Sequence, residues 1–270
     1  MTKVELVNGQ LYYSIYPGGE RILLAFHGFR QDNKIFDSWS KILQPEYTIY
    51  AFDIFYHGKS TRNYGSLSKK EWAEYLKTFL YKEGIKEFTI VGFSLGGRFA
   101  ISSALSFPKQ TQELILIAPD GVFLTIWFKL ATNPSIRWLF KYFMLHPAKL
   151  EQLLRFNDKY KVVSSYLRDF VQKELGNPEN RKRVYISWNH FKTLGYSKRQ
   201  LAKGFKSAQF KRRIILGQKD LIIKPAKILP IIKTMGEFEV DILPMKHHQL
   251  VKPEVAKLIL KNTVLNRKLN

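Results

Sequence analysis

The sequence has no cysteine among its 270 residues. A chain without thiols excludes a disulfide framework, cysteine-ligated zinc or iron–sulfur sites and a cysteine nucleophile. Acidic residues are also scarce, because 22 Asp and Glu stand against 44 Lys and Arg and leave a formal net charge of +22. A charge of this size keeps a protein soluble and favours association with anionic surfaces.

Signals for nucleic-acid binding and for secretion are absent as well. No uninterrupted basic run is longer than three residues, as in Arg181-Lys182-Arg183, and no zinc-finger or RNP-like spacing is present, so nucleic acid is not the expected partner. Residues 1–10 lack the basic start and apolar run of a secretory signal, and we expect a cytoplasmic protein. The histidines His146 and His190 have no neighbouring ligand spacing, so we expect neither a metal site nor a cofactor.

Two parts of the chain alternate short apolar runs with helical patterns. This alternation predicts an α/β fold with a mostly parallel sheet flanked by helices, built from residues 1–120 and 211–270. The predicted strands are 11–16, 21–26, 48–52, 88–91, 114–118, 212–216 and 237–243, and the predicted helices are 68–81, 98–106, 225–235 and 253–265.

The segment between these parts, residues 121–210, has a different pattern. It lacks β-branched runs and holds 17 aromatic residues, 17 Lys and Arg but only 5 Asp and Glu, for a net charge of +12. Apolar side chains at helical spacing, such as Trp127, Phe128, Trp138, Phe140 and Phe143, predict amphipathic helices. We therefore expect an insertion built from several helices.

The sharpest chemical signal is Gly92-Phe93-Ser94-Leu95-Gly96, between a predicted strand and a predicted helix. In a G-x-S-x-G turn the serine lies at the tip of a sharp strand-to-helix bend, and the two glycines let the backbones approach closely. The context predicts that Ser94 is a nucleophile rather than only a helix cap.

With this motif and three others in the same order, the sequence resembles the α/β-hydrolase family. The other motifs are Phe26-His27-Gly28-Phe29, the run from Asp53 to Ser60 that reads D-x-x-x-H-G-x-S, and Gly217-Gln218-Lys219-Asp220. The resemblance covers nearly the whole chain. It implies that 121–210 covers the nucleophile as a cap, and that His27 and His57 brace loops.

The family order of nucleophile, acid and base assigns the remaining catalytic roles. It implies Asp220 as the acid, with Asp120 as the alternative. Two adjacent histidines compete for the base. The family's L-P-x-x-G-H pattern aligns with Leu243–His248 and implies that His248 is the base, although His247 then occupies the usual glycine position.

The resemblance also implies an oxyanion hole formed by the amides of Phe29 and Leu95. It suggests that Arg98, which follows Ser94-Leu95-Gly96-Gly97, binds an acidic substrate group, the alternative being an ordinary ion pair.

We therefore expect a serine hydrolase that cleaves an ester, thioester or related acyl bond of a small molecule. The alternatives are a carbon–carbon lyase or hydrolase similar to the menaquinone-pathway synthase, and a non-catalytic binding protein with the same fold. The charge of the cap adds an acyl carrier or an anionic membrane surface as expected partners, the latter implying a peripheral position at the inner membrane surface.

Overall fold

The architecture is that of a computed structural model, which describes residues 2–63, 65–122, 133, 135, 137–146, 148–149, 152 and 177–269. The strands are β1 (Thr2–Leu6), β2 (Gly9–Tyr16), β3 (Arg21–Phe26), β4 (Tyr47–Phe52), β5 (Thr61–Arg62), β6 (Phe88–Phe93), β7 (Thr111–Ile117), β8 (Lys211–Gly217) and β9 (Glu239–Leu243).

Eight α-helices lie within the described residues. They are α1 (Asp37–Leu43), α2 (Lys69–Lys82), α3 (Gly96–Ser106), α4 (Arg137–Leu145), α5 (Pro178–Phe191), α6 (Lys198–Ser207), α7 (Pro225–Ile232) and α8 (Pro253–Leu269). Three 3-10 helices cover Asn33–Phe36, Lys192–Leu194 and His247–Val251.

The nine strands form one sheet in the order β1-β2-β4-β3-β6-β7-β8-β9, with β5 paired to β2. The pairs from β4 to β9 along this order are parallel, whereas β2 pairs antiparallel with β1, β4 and β5. The carboxyl ends of β3, β6, β7, β8 and β9 therefore meet at one edge of the sheet. Loops at this edge carry the predicted catalytic residues.

The helix α2 shows how local sequence produces the expected element. Ser68 accepts a hydrogen bond from the Glu71 amide at 3.1 Å and caps the helix. Trp72 and Phe79, on the same helix, are fully buried. The centroid of the Trp72 ring lies 5.6 Å from that of Phe26 on β3 and 4.9 Å from that of Phe99 on α3. Aromatic packing therefore holds α2 and α3 against the sheet.

The predicted α/β fold is confirmed, and the predicted strands and helices of its core are present within a few residues of the expected bounds. The strands β1 and β5 were not predicted. The turn between β1 and β2 is Val7-Asn8, because Leu6 pairs with Gly9, the first residue of β2. The sequence carried a weak signal for this hairpin, since Asn and Gly are typical turn residues.

The chain divides into two compact units, one formed by Met1–Tyr64, Ser68–Phe123 and Leu194–Asn270, the other by Gly65–Leu67 and Leu124–Thr193. The second unit includes most of the predicted cap, 121–210, while α6 belongs to the first. Trp127 and Phe128 of the predicted cap helices lie outside the described residues. In the parts of the chain that are described, no helix is both long and apolar enough to span a bilayer.

Candidate active site

Ser94 lies in the turn between β6 and α3, with a backbone φ of 50°. This left-handed conformation is costly for a residue with a side chain, and it is held in place by its neighbours. The Ser94 amide donates to the Ile117 carbonyl at 2.9 Å, and the Ser94 carbonyl accepts from the Asp120 amide at 2.8 Å. The end of β7 thereby holds the bend that lifts the Ser94 side chain away from the sheet.

The glycines on either side of Ser94 allow the close approach that this turn requires. A Cβ atom on Gly92 would lie 2.6 Å from the Ala100 Cβ, and one on Gly96 would lie 2.2 Å from the Phe26 carbonyl oxygen. Both distances are shorter than real Cβ contacts, so a larger residue would push α3 away from the sheet. The sequence motif is thus explained by packing between α3, β3 and β6.

A continuous hydrogen-bond chain joins two predicted site residues, Ser94 and Asp220, through His247, the alternative candidate for the base. His247 Nε2 lies 3.1 Å from Ser94 Oγ, and His247 Nδ1 lies 2.6 Å from Asp220 Oδ2. Because a carboxylate only accepts, the Nδ1–H donates to Asp220 and leaves Nε2 to accept from the Ser94 hydroxyl. The Asp220 side chain is fully buried and that of His247 is 14% exposed.

The expectation that His248 is the histidine at Ser94 is therefore corrected to His247. The turn after β9 is tied to the turn after β8, because Gln218 N donates to the Leu243 carbonyl at 2.7 Å and Lys219 N to the Met245 carbonyl at 3.1 Å. These bonds fix where the 3-10 helix begins. Its first residue, His247, faces Asp220, while His248, about 120° further round a helix of three residues per turn, is exposed.

The carboxylate of Asp220 is oriented by its own loop. Its Oδ1 accepts hydrogen bonds from the amides of Ile222 at 2.7 Å and Ile223 at 2.9 Å, which leaves Oδ2 for His247. The imidazole ring also packs against Phe93, at 5.0 Å between ring centroids. The acid and the ring that it orients are therefore both fixed before any substrate binds.

The other acid weighed for this role, Asp120, has a different partner. It forms two hydrogen bonds with Arg98, from Nε to Oδ2 at 2.7 Å and from Nη2 to Oδ1 at 2.9 Å. Arg98 is 1% exposed. This forked pair matches the ion-pair alternative for Arg98, and it holds the residue whose amide supports the Ser94 carbonyl.

The predicted oxyanion loop follows β3 and packs beside the nucleophile turn. The Gly28 amide donates to Gln31 Oε1 at 2.8 Å, and Arg30 adopts a positive φ of 62°. Among the hydrogen bonds of the described residues, none uses the amide of Phe29 or of Leu95. Both amides are thus left to donate to another group at this edge of the sheet.

His27 braces the start of this loop. Its Nε2 accepts from the Ile54 amide at 3.1 Å and its Nδ1–H donates to the Gly28 carbonyl at 2.7 Å. Complete burial lowers the pKa of His27 to about 4, so the ring is neutral at pH 7. His57 is also buried, and its Nδ1 contacts the Phe55 carbonyl at 3.0 Å.

Asp53, the first residue of the motif after β4, also holds these loops in place by hydrogen bonds. Its Oδ1 accepts from the Asn33 amide and its Oδ2 from the Lys59 amide, both at 2.8 Å. These bonds explain why the motif carries a carboxylate at its first position. Within the described ranges, no group of three or more His, Asp or Glu side chains is arranged to bind a metal ion.

Comparison with known proteins connects this geometry to a family. The model of the alpha/beta hydrolase fold matches residues 21–252. The chain is 32% identical over 124 residues to an uncharacterised protein of Mycobacterium bovis, a match covering 45% of this chain and 36% of that protein. It is 27% identical over 114 residues to the pimeloyl-[acyl-carrier protein] methyl ester esterase of Yersinia enterocolitica, covering 42% of each. These matches therefore span less than half of the curated relatives.

Among solved structures, a thermophilic esterase from Thermogutta terrifontis superposes with a TM-score of 0.67 at 13% sequence identity. The superposition covers 98% of this chain and 99% of the esterase. At this identity the likeness concerns the fold.

Proposed function

The chain belongs to the alpha/beta hydrolase family, and from this premise we propose that it is a serine hydrolase that cleaves an ester, thioester or related acyl bond. The observation that carries the proposal is the hydrogen-bond chain from Asp220 through His247 to Ser94. A serine hydroxyl becomes a useful nucleophile only when a base accepts its proton and a third group fixes the tautomer of that base.

In the proposed first half-reaction, Ser94 Oγ attacks the carbonyl carbon of the substrate and His247 Nε2 accepts the hydroxyl proton. Asp220 keeps its bond to Nδ1–H and stabilises the imidazolium that forms. The negative charge moves to the carbonyl oxygen, where the Phe29 and Leu95 amides donate hydrogen bonds. His247 then gives its proton to the leaving alcohol or thiol, and the acyl group remains on Ser94.

The second half-reaction repeats these steps with water. His247 removes a proton from a water molecule, the resulting hydroxide attacks the acyl carbon, and the proton returns to Ser94 Oγ as the ester to the enzyme breaks. The free acid is released. None of these steps needs a cofactor, because every proton that leaves one group is accepted by a named atom of another.

The proposed reaction and one of the relatives support a choice of substrate class. The Yersinia relative is named as a methyl ester esterase acting on an acyl-carrier-bound acid, and a small-alcohol ester is therefore the first substrate to test here. An acidic carrier would also complement the net charge of +22. Arg98, the reason for considering carbon–carbon cleavage of an acidic substrate, is paired with Asp120, so the geometry favours the acyl-bond reaction.

The test is covalent labelling with a fluorophosphonate probe, followed by hydrolysis of p-nitrophenyl esters of increasing acyl length. We expect wild type to be labelled and active. Ser94→Ala should lose all labelling and lose turnover by several orders of magnitude, since the nucleophile and its base act as a unit. The matched control is Ser106→Ala, at the far end of α3, which should keep both signals.

Two outcomes would contradict the proposal. A wild-type protein that is neither labelled nor active on any ester would support a binding protein with a hydrolase fold. Labelling that persists in Ser94→Ala would place the nucleophile elsewhere.

A further inference from the structure

The helix α4 carries an exposed stripe of large apolar side chains. Trp138, Leu139, Tyr142 and Leu145 are exposed by 65%, 41%, 40% and 66% of their surface. Positions 138, 142 and 145 are separated by four and three residues, so their side chains follow one face of the helix. Apolar side chains exposed singly are ordinary on protein surfaces, but four on one nine-residue helix form a patch.

The opposite side of α4 is anchored within its own unit. Met144 is buried, and its carbonyl accepts a hydrogen bond at 3.0 Å from Nε of Arg181 on α5. Arg181 is itself buried, so the basic run Arg181-Lys182-Arg183 is not a wholly exposed charge cluster. A cation at the carboxyl end of a helix satisfies its free carbonyl groups. Because this side of α4 packs within its own unit, the apolar stripe faces solvent.

The composition of the stripe matches a lipid interface. Trp and Tyr combine a large apolar ring with one polar group, which suits the boundary between headgroups and acyl chains. Trp138 Nε1 already donates to the Ser135 carbonyl at 3.1 Å, so the indole can enter an apolar layer without an unpaired N–H. Lys141, within the helix, and Lys149, just after it, are exposed, and long basic side chains reach back to anionic headgroups.

Size and charge favour a membrane over a protein partner. A helix of nine residues is only about 14 Å long. A stable protein interface buries about 800 Å² on each partner, which is more area than one face of so short a helix offers. An interfacial helix needs only shallow insertion of its apolar face, by about 5–10 Å. Residues 121–210, which contain α4, hold 17 Lys and Arg against 5 Asp and Glu, and this excess attracts anionic lipid.

We propose that α4 docks the protein on an anionic membrane surface, with Trp138, Leu139, Tyr142 and Leu145 entering the interface and Lys141 and Lys149 contacting the headgroups. The proposal does not depend on the hydrolase reaction. Docking of this kind is reversible and combines apolar insertion with charge attraction.

The test is co-sedimentation of the full chain with vesicles of phosphatidylcholine alone or with about 30% phosphatidylglycerol. We expect binding to the anionic vesicles that weakens as salt rises, because exposed charges are screened beyond about 8 Å at physiological ionic strength. Removing both end residues of the stripe in Trp138→Ser/Leu145→Ser should weaken this binding by about ten- to a hundredfold. Arg181 is kept, because it holds α4 in place.

Three controls separate the alternatives. Tyr81→Ser removes an aromatic side chain that is 91% exposed on α2 and should leave vesicle binding unchanged. Ser94→Ala should bind as wild type does, so that a failure of the proposed function leaves this test intact. The circular dichroism spectrum of the double variant should match that of wild type. If the double variant is misfolded, the milder Lys141→Ser tests the proposal instead, and it should weaken binding to the anionic vesicles only.

The proposal is overturned if wild type ignores anionic vesicles, if the double variant binds them as tightly as wild type, or if vesicles without phosphatidylglycerol bind equally well. A wild-type dimer that the double variant converts to a monomer would also overturn it, because the stripe would then be covered by a second copy of the chain.

Discussion

Ser94, Asp220 and His247 each owe their position to a different short piece of backbone. Ser94 lies on a left-handed bend, Asp220 on the turn after β8, and His247 at the first position of a 3-10 helix after β9. Hydrogen bonds from the neighbouring loop hold each of these pieces. The three side chains are therefore arranged before a substrate arrives, which is the condition for electrostatic and general-base catalysis without reorganisation.

Replacing the acid is the first prediction at this scale. Asp220→Asn keeps the size of the side chain but removes the charge that orients and stabilises the His247 ring. We expect ester turnover to fall by roughly 10³- to 10⁴-fold, because the amide favours the wrong imidazole tautomer. Steady-state hydrolysis of a p-nitrophenyl ester measures the effect.

The matched control is Asp120→Asn. Its partner Arg98 is 1% exposed, so this variant leaves a buried cation without its carboxylate and should unfold at lower temperature. Turnover below the unfolding transition should nevertheless stay far above that of Asp220→Asn. Equal losses of turnover in the two variants would contradict the assignment of the acid.

The sequence predicts the proposed nucleophile, Ser94, and the proposed acid, Asp220, more securely than the proposed base. The elbow motif and the turn ending at Asp220 are local patterns, and local backbone geometry decides where those side chains lie. His247 and His248 are adjacent and chemically identical. The choice between them depends on where the 3-10 helix begins, and this is set by hydrogen bonds to Gln218 and Lys219, contacts distant in sequence that no local pattern encodes.

At the scale of elements, the strands and helices around the site follow from periodicity and capping. Buried parallel strands such as β6 are mostly apolar and buried along their whole length, and α2 begins at a serine cap. The strands β1 and β5 were harder to predict. The two-residue strand β5 has too few residues for any periodicity, and β1 is a five-residue strand in which only Val4 and Leu6 are apolar, so its alternation is weak.

His27 links the loop after β3 to the loop after β4. Its burial predicts how the free energy of unfolding changes with pH. Its pKa falls from the ordinary 6.5 to about 4 on folding. Between these values the unfolded chain binds a proton that the folded chain does not, so stability is fully present above pH 6.5 and is lost as pH falls towards 4. The shift corresponds to a loss on the order of 3 kcal/mol.

The measurement is denaturant unfolding at several pH values between 7 and 4, on wild type and His27→Gln. At pH 7 the variant should be less stable, because it loses the ring's bonds to Ile54 and Gly28. The difference should shrink as pH falls, because the variant no longer carries the group that resists protonation. The exposed His248→Gln serves as the control. A difference that stays constant from pH 7 to 4 would show that His27 is not buried in its neutral form.

At the scale of the whole molecule, the excess of basic residues is uneven. Residues 121–210 carry +12 of the net +22 in a third of the chain, and the sequence showed this directly. It did not show which cations are exposed. Arg181 is buried against the end of α4 and Arg183 pairs with Glu179, so a surface role for a run of basic residues depends on packing that composition does not contain.

The fold as a whole places the carboxyl ends of six parallel strands at one edge, and residues 21–252 match the alpha/beta hydrolase family. Within this fold we propose that His247, held by Asp220, activates Ser94 and that the neighbouring His248 does not.

Comparing His247→Ala with His248→Ala tests this claim most directly, in one assay that records fluorophosphonate labelling rate and ester turnover together. The two variants remove the same group from adjacent positions, so general effects of losing a histidine cancel. We expect that His247→Ala lowers both rates by at least about 10³-fold and that His248→Ala changes them by no more than a few fold. The opposite order, or equal losses in the two variants, would contradict the proposal.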